Sequence, residues 1–206
     1  MKKLELESWE RREQFEFFSR ISQPFYSVSF RVDVTKVYDF AKKNAVSFYY
    51  AMTYLVTKAL NSAPELRICV RDGELFVLDE RIPSFTDMKK GSEAFYIVTL
   101  PAGDDILDFC ERAKRKSSEQ SSFLEQSEET DELIFISCLP WLDITSLTNE
   151  RDFDPDDAIP RIAWGKYTEE NGKKILGMSV EVNHRFCDGV HIGKFNKKLC
   201  ELIENI

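Results

Sequence analysis

Two dipeptides, Asp72-Gly73 and Asn171-Gly172, constrain the fold of this chain more than any other feature. The first lies between Arg67–Arg71 and Glu74–Leu78, the second between Ile162–Tyr167 and Lys174–Val182, all strand-like runs. Asp-Gly and Asn-Gly accept the positive φ angles of the two-residue turn that joins adjacent antiparallel strands. Two such hairpins among helical segments argue against a doubly wound parallel sheet. They fit an α/β two-layer sandwich with a mixed β-sheet. A length of 206 residues suits one domain spanning 1–206.

The clearest helix runs from Ser47 to Ser62, where Phe48, Ala51, Met52, Leu55, Val56, Ala59 and Leu60 repeat at the spacing of a buried face. Pro64 ends it. Ser8 is expected to cap an earlier helix carrying Trp9 to Phe18, with Phe15, Phe17 and Phe18 mainly in the core. Further strands are predicted over Phe25–Val34, Ala94–Leu100 and Leu133–Leu139. Short helices are predicted over Thr35–Lys43 and from Pro101–Asp105 to about Lys116. Ser117 to Asp131 reads as a loosely helical, solvated stretch, and Asn149 to Asp157 as an acidic loop. A closing helix is predicted to bury Ile192, Phe195, Leu199, Leu202 and Ile203.

Charge and composition exclude several functions. A formal net charge of −8 argues against nucleic acid as the partner, which needs a basic surface. No run of about eighteen apolar residues could span a membrane, and the N-terminus turns charged where a signal peptide would be apolar. The five cysteines lack paired spacing, so they predict free thiols in a reducing cytoplasm and neither a disulfide framework nor a zinc site. The 8 glycines form no phosphate-binding loop.

Catalytic candidates are few, because the chain has only 2 histidines. His184 and Asp188 lie four apart in Asn183-His184-Arg185-Phe186-Cys187-Asp188-Gly189, between a strand and a helix. A neutral imidazole can take a proton from an alcohol or thiol near neutral pH and return it. Cys187 sits beside it, and a buried structural thiol is the preferred reading there. His191 reads as a partly buried helical histidine. Asp188 could simply cap the final helix.

His184, Asp188 and Gly189 match the H-x-x-x-D-G pattern of acyltransferases that use coenzyme A thioesters. Trp9 to Phe18, Pro64-Glu65-Leu66-Arg67, Ser137-Cys138-Leu139-Pro140-Trp141, Gly165-Lys166-Tyr167 and Cys187-Asp188-Gly189-Val190-His191 extend the match in order and spacing. On these segments the whole chain resembles the type A chloramphenicol acetyltransferases. The resemblance implies that family's coenzyme A-dependent acyltransferase fold, a homotrimer with sites between subunits, and direct acetyl transfer from acetyl-coenzyme A to a small alcohol. Antibiotic resistance by acetylation is the implied role. It casts His184 as general base and Ser137 as donor to the tetrahedral oxyanion. Asp188 and Arg11 become an ion pair that holds the site. Phe18, Tyr26, Phe95 and Ala163 fall at acceptor-binding positions, and Trp141, Lys166 and Tyr167 at coenzyme A-binding ones. No metal is implied.

Four departures bear on the acceptor more than on the chemistry. Asn183 stands where the family usually has a second histidine, with little effect expected on the base. Phe18 replaces a tyrosine, Ala163 replaces a threonine, and Gln23-Pro24-Phe25-Tyr26 is one residue shorter than its counterpart. Base, oxyanion donor and ion pair remain, so acetyl transfer to chloramphenicol or a similar acceptor is the leading expectation. The alternatives are transfer to a different acceptor, or a non-catalytic binder of small aromatic ligands. The acyltransferase core of a 2-oxo acid dehydrogenase complex shares the motif, but lipoyl and subunit-binding domains usually precede it.

Overall fold

Both dipeptides turn the chain as their chemistry requires. Asp72 and Gly73 adopt φ of 53° and 76°, Asn171 and Gly172 φ of 52° and 78°, the left-handed pair that matches strand twist. The computed structural model describes residues 1–206. The chain opens with β1 (Lys2–Lys3), α1 (Arg12–Phe18), β2 (Phe25–Asp33), α2 (Thr35–Lys43) and α3 (Phe48–Asn61). Next come β3 (Ile68–Arg71), β4 (Glu74–Val77), β5 (Ile82–Met88), β6 (Phe95–Thr99) and α4 (Ile106–Glu119). It closes with β7 (Leu133–Leu139), β8 (Arg161–Gly165), β9 (Thr168–Glu170), β10 (Lys173–Asn183) and α5 (Gly189–Glu204).

The main sheet has the order β2-β10-β8-β7-β5-β6, with β9 beside one end of β10. β7 runs parallel to β5 and β8, and the remaining pairs are antiparallel. The sheet is therefore mixed. Its helical layer is centred on α3, which packs on α2, α4, α5, β5 and β7. Neighbours on several sides bury α3 well beyond one face, including Thr53 and Thr57. Those two hydroxyls donate to the carbonyls of Tyr49 and Thr53, at 2.9 and 2.8 Å.

Several expectations need correction. The first hairpin, β3–β4, joins β1 in a separate three-stranded sheet. The second turn joins β9 to β10, and β8 pairs farther along β10 after an interruption at Lys166-Tyr167. Pro83 and Asp87 hide the apolar alternation of β5, although β5 lies between β6 and β7. Ser8 caps no helix: its hydroxyl donates to Glu5 O at 3.3 Å, and α1 begins only at Arg12. Phe17 is exposed, and Leu202 is only half-buried. Ser117 and Gln120 are buried where a solvated stretch is predicted. The Ser117 hydroxyl bonds to Asp87 at 2.7 Å, and the Gln120 amide to Ile97 O at 3.1 Å.

β10 organises the rest. Leu176, Met178, Val180 and Val182 point into the core, each at most 2 % exposed. The alternate residues, Gly177, Ser179, Glu181 and Asn183, face away from the helices. A strap of irregular chain, residues 144–157, runs along that outer row in step with it. Ile144 lies over Gly177, and Leu147 O accepts from Ser179 Oγ at 2.6 Å. Asn149 N donates to Glu181 at 2.9 Å, and the Asn183 amide donates to Pro155 O and Asp157 O at 2.9 and 3.0 Å. Glycine is required at 177, because a Cβ there would lie 1.9 Å from Ile144 O. Gly177→Ala is expected to lift the strap and destabilise the chain by about 1–3 kcal/mol. An unchanged urea midpoint with unchanged amide exchange in residues 144–149 would refute this contact.

Candidate active site

His184 follows the last residue of β10, and its backbone N–H donates to Pro24 O at 2.7 Å, anchoring the strand end beside β2. The imidazole stacks on Phe18 with ring centroids 3.8 Å apart and planes at 20°. Tyr26 approaches it at 4.3 Å and 34°. Burial against these rings lowers the His184 pKa, Asp188 opposes the shift and Arg11 reinforces it. The ring is therefore neutral, and competent as a base, below the ordinary histidine range. No group of the chain hydrogen-bonds either ring nitrogen, and neither is among the sealed unpaired polar atoms, unlike Arg11 Nε and Tyr26 Oη.

Arg11 precedes α1 and reaches across to the start of α5. Nη1 pairs with Asp188 Oδ2, and Nη2 donates to His184 O at 3.4 Å. Both readings of Asp188 hold together. Its other oxygen accepts from Val190 N at 3.1 Å, while its own N–H donates to His191 Nδ1 at 3.0 Å, a reciprocal cap on α5. Burial disfavours ionisation of Asp188, but the Val190 amide and Arg11 outweigh it and hold the carboxyl below the ordinary range. His191 is thus a capping residue and no catalytic group. Cys187 is also excluded from chemistry: burial pushes its thiol up to about 12, and Sγ donates to Glu65 O at 3.0 Å.

The single chain brings His184, Arg11, Asp188, Phe18 and Tyr26 together and leaves the other candidates elsewhere. Ser137, on β7, pairs in register with Ala163, which pairs with Ser179 on β10. The Ser137 hydroxyl lies 3.4 Å from Thr86 Oγ1, and Ala163 is fully buried. Ser179 precedes His184 by five residues along β10, so Ser137 and His184 are on the order of 15 Å or more apart. Phe95 is half exposed and meets Phe123 edge-on at 5.5 Å. Trp141 projects from the end of β7, 69 % exposed. Lys166 lies close to it, since Lys166 N donates to Leu142 O at 2.7 Å. Tyr167 packs edge-on against Tyr38 and Phe48, with the Lys174 ammonium 5.1 Å from its ring.

The residues flanking His184 are fixed by tertiary contacts that the sequence reading overlooks. Asn183 and Arg185 are both buried and both grip the strap. A usable signal was present in the outer row of β10. Gly177, Ser179, Glu181 and Asn183 are small or hydrogen-bonding, a pattern suited to a covered face as well as a wet one.

Comparison with known proteins places these features in context. The family described as chloramphenicol acetyltransferase matches residues 1–200. Chloramphenicol acetyltransferase 3 of Escherichia coli is 32 % identical over 205 residues, covering 97 % of this chain and 95 % of that protein. A solved chloramphenicol acetyltransferase superposes with a TM-score of 0.90 at 26 % identity, covering 98 % of this chain and all of that one. The dihydrolipoamide acetyltransferase of Azotobacter vinelandii superposes at 0.70 with 16 % identity, over 93 % of this chain and 85 % of that one, a likeness of fold alone.

Proposed function

Because this chain belongs to the chloramphenicol acetyltransferase family, we propose that it moves acetyl from acetyl-coenzyme A to a hydroxyl of chloramphenicol or a similar small acceptor, with His184 as general base. One observation carries this reading. An imidazole whose pKa is lowered by burial against Phe18 and Tyr26, and whose loop is braced through the Arg11–Asp188 pair, has both ring nitrogens unengaged and neither sealed.

The steps follow from that geometry. His184 takes the proton of the acceptor hydroxyl as its oxygen attacks the thioester carbonyl. The carbonyl oxygen becomes an oxyanion, which the Ser137 hydroxyl stabilises by donating a hydrogen bond. Collapse breaks the carbon–sulfur bond, and the imidazolium returns its proton to the departing thiolate. Transfer is direct, with no acetyl-enzyme.

Ser137 must belong to a second copy, since hydrogen-bond reach is about 3 Å and one chain keeps the pair far apart. This supports a homotrimer with each site shared between neighbours. The exposed rings of Phe95 and Trp141 suit faces that a neighbour or ligand covers. Trp141 and Lys166, close together, offer an aromatic face and a cation to an anionic, adenine-bearing coenzyme. Five unpaired cysteines and the use of acetyl-coenzyme A fit the cytoplasm, and no helix is long and apolar enough to cross a membrane. Resistance to chloramphenicol is the expected consequence of the activity.

The test is release of free thiol by the purified protein with acetyl-coenzyme A and chloramphenicol, alongside a panel of other alcohols. Release with chloramphenicol supports the reading. Release only with other alcohols moves the acceptor, and tight binding without release makes the protein a binder. Mixing His184→Ala with Ser137→Ala subunits is expected to restore activity at about one interface in four. Failure to recover any, with both variants folded and trimeric, would place both groups in one chain.

A further inference from the structure

We propose that Asn183 and Arg185 are positioning residues of the base, holding His184 through the strap of residues 144–157. The proposal rests on the reading of His184 as that base. The three consecutive residues are held in three directions. Asn183 Nδ2 donates to Pro155 O and Asp157 O, and its Oδ1 accepts from Arg185 N at 3.0 Å. Both amide N–H groups and the amide oxygen of this buried asparagine are thereby engaged. His184 is tied through its backbone to Pro24, on the approach to β2. Arg185 turns the other way: Nε donates to Ser19 Oγ at 3.0 Å, and Nη1 donates to Pro155 O and to Asp156 Oδ1 at 2.7 Å. Its guanidinium also lies 4.8 Å from the Phe15 ring. It therefore links the end of α1, which carries Phe18, to the strap.

The strap is rigid enough to serve as a platform. Asp157 accepts from Arg151 and from Arg161 on β8, each at 2.9 Å, and Arg151 Nε donates to Glu181 Oε1 at 2.9 Å. These four side chains are 4–14 % exposed, so the ion pairs escape most solvent screening. Arg151 lies 3.8 Å from the Phe25 ring, next to Tyr26 on β2. Loosening the strap would free both the strand end carrying the imidazole and the α1 segment carrying its stacking partner. Neither the Asn183 nor the Arg185 side chain hydrogen-bonds His184, so both act by holding the base in place.

Arg185→Ala is expected to lower kcat about 10- to 100-fold, as a misplacement near 1 Å does, with the KM for acetyl-coenzyme A unchanged. Added guanidinium should restore part of kcat. With only 2 histidines in the chain, the imidazole proton signals can be followed separately, assigned through His191→Gln. The His184 signal in Arg185→Ala is expected to titrate closer to the ordinary histidine value, as the ring leaves Phe18. Asp156→Ala, at the surface end of the same contact, provides a variant with little risk to folding and should change both readouts in the same direction, less strongly. Wild-type kcat and titration in both folded variants would overturn the proposal, as would a fall in kcat that guanidinium cannot restore and that leaves the titration unmoved. A fully active His184→Ala would instead remove the base reading. The ring titration would still report whether Arg185 holds His184.

Discussion

Replacing His184 by alanine is expected to reduce kcat/KM for thiol release by about 10²- to 10⁴-fold, roughly 3–5 kcal/mol of barrier. In the proposed mechanism this residue supplies both proton transfers, and no other group of the site is placed to replace it. His191 is committed to the α5 cap, and Cys187 is buried and protonated. The pH dependence provides an independent check. The proposed base must be neutral to act, and burial against Phe18 and Tyr26 lowers the His184 pKa. The acid limb of kcat/KM for wild type should therefore have its midpoint below the ordinary value of about 6.5. Residual activity in His184→Ala should lack that limb. An acid limb at or above the ordinary value would show the ring solvated or paired in solution. Release equal to wild type in the variant would dismiss the base.

The largest expected effect on stability comes from Arg81, far from the chemistry. Its side chain is 1 % exposed and has no carboxylate partner. All five guanidinium N–H groups instead donate to backbone carbonyls. Nε reaches Leu66 O at 2.6 Å, Nη1 reaches Asp131 O and Leu133 O at 3.0 and 2.9 Å, and Nη2 reaches Ile68 O and Ala158 O at 2.6 and 3.0 Å. The residue thus joins the small sheet, the start of β7 and the chain just past the strap. Burial depresses its pKa to about 10, which still leaves it charged at neutral pH. Stranding one buried acceptor costs about 1–3 kcal/mol, and relief of the buried charge offsets only part of five such losses. Arg81→Met is expected to destabilise the chain by roughly 4–5 kcal/mol or more, a loss that few substitutions reach. Arg81→Lys, with three donors for five carbonyls, should lose roughly 2–3 kcal/mol. Urea midpoints at fixed protomer concentration read both values, because association would contribute to stability. A loss under 1 kcal/mol in Arg81→Met would show that water satisfies those carbonyls.

Particular residues mark how far the sequence can be read. The two turns, the spans of α2 and α3 and the whole of β7 follow from local rules, because each depends on neighbours within a few positions. The same holds for the core row of β10, whose alternation is uninterrupted. Reading failed where a distant partner decides the outcome. Asn149 to Asp157 is the acidic loop that its composition predicts, but its shielding was not legible: the Arg151 and Asp157 side chains are only 4 % and 14 % exposed, because Glu181 and Arg161 neutralise them across the sheet. Arg81 follows Glu80 and looks like surface charge, since the five carbonyls that hold it come from three separate stretches of chain. Asn183 looked like a neutral replacement until the strap supplied acceptors for its amide.

Local chemistry therefore determined the identity of the candidate base and the mixed α/β architecture, because motif spacing, turn residues and apolar period are properties of short stretches, whereas the Arg11–Asp188 brace was expected only from the family resemblance. Tertiary structure decided the rest. It shelters the imidazole between α1 and β2, supports its strand end with a strap that has no regular period, and keeps Ser137 beyond its reach on the same chain. Those facts depend on contacts between segments distant in the sequence, which no local pattern encodes.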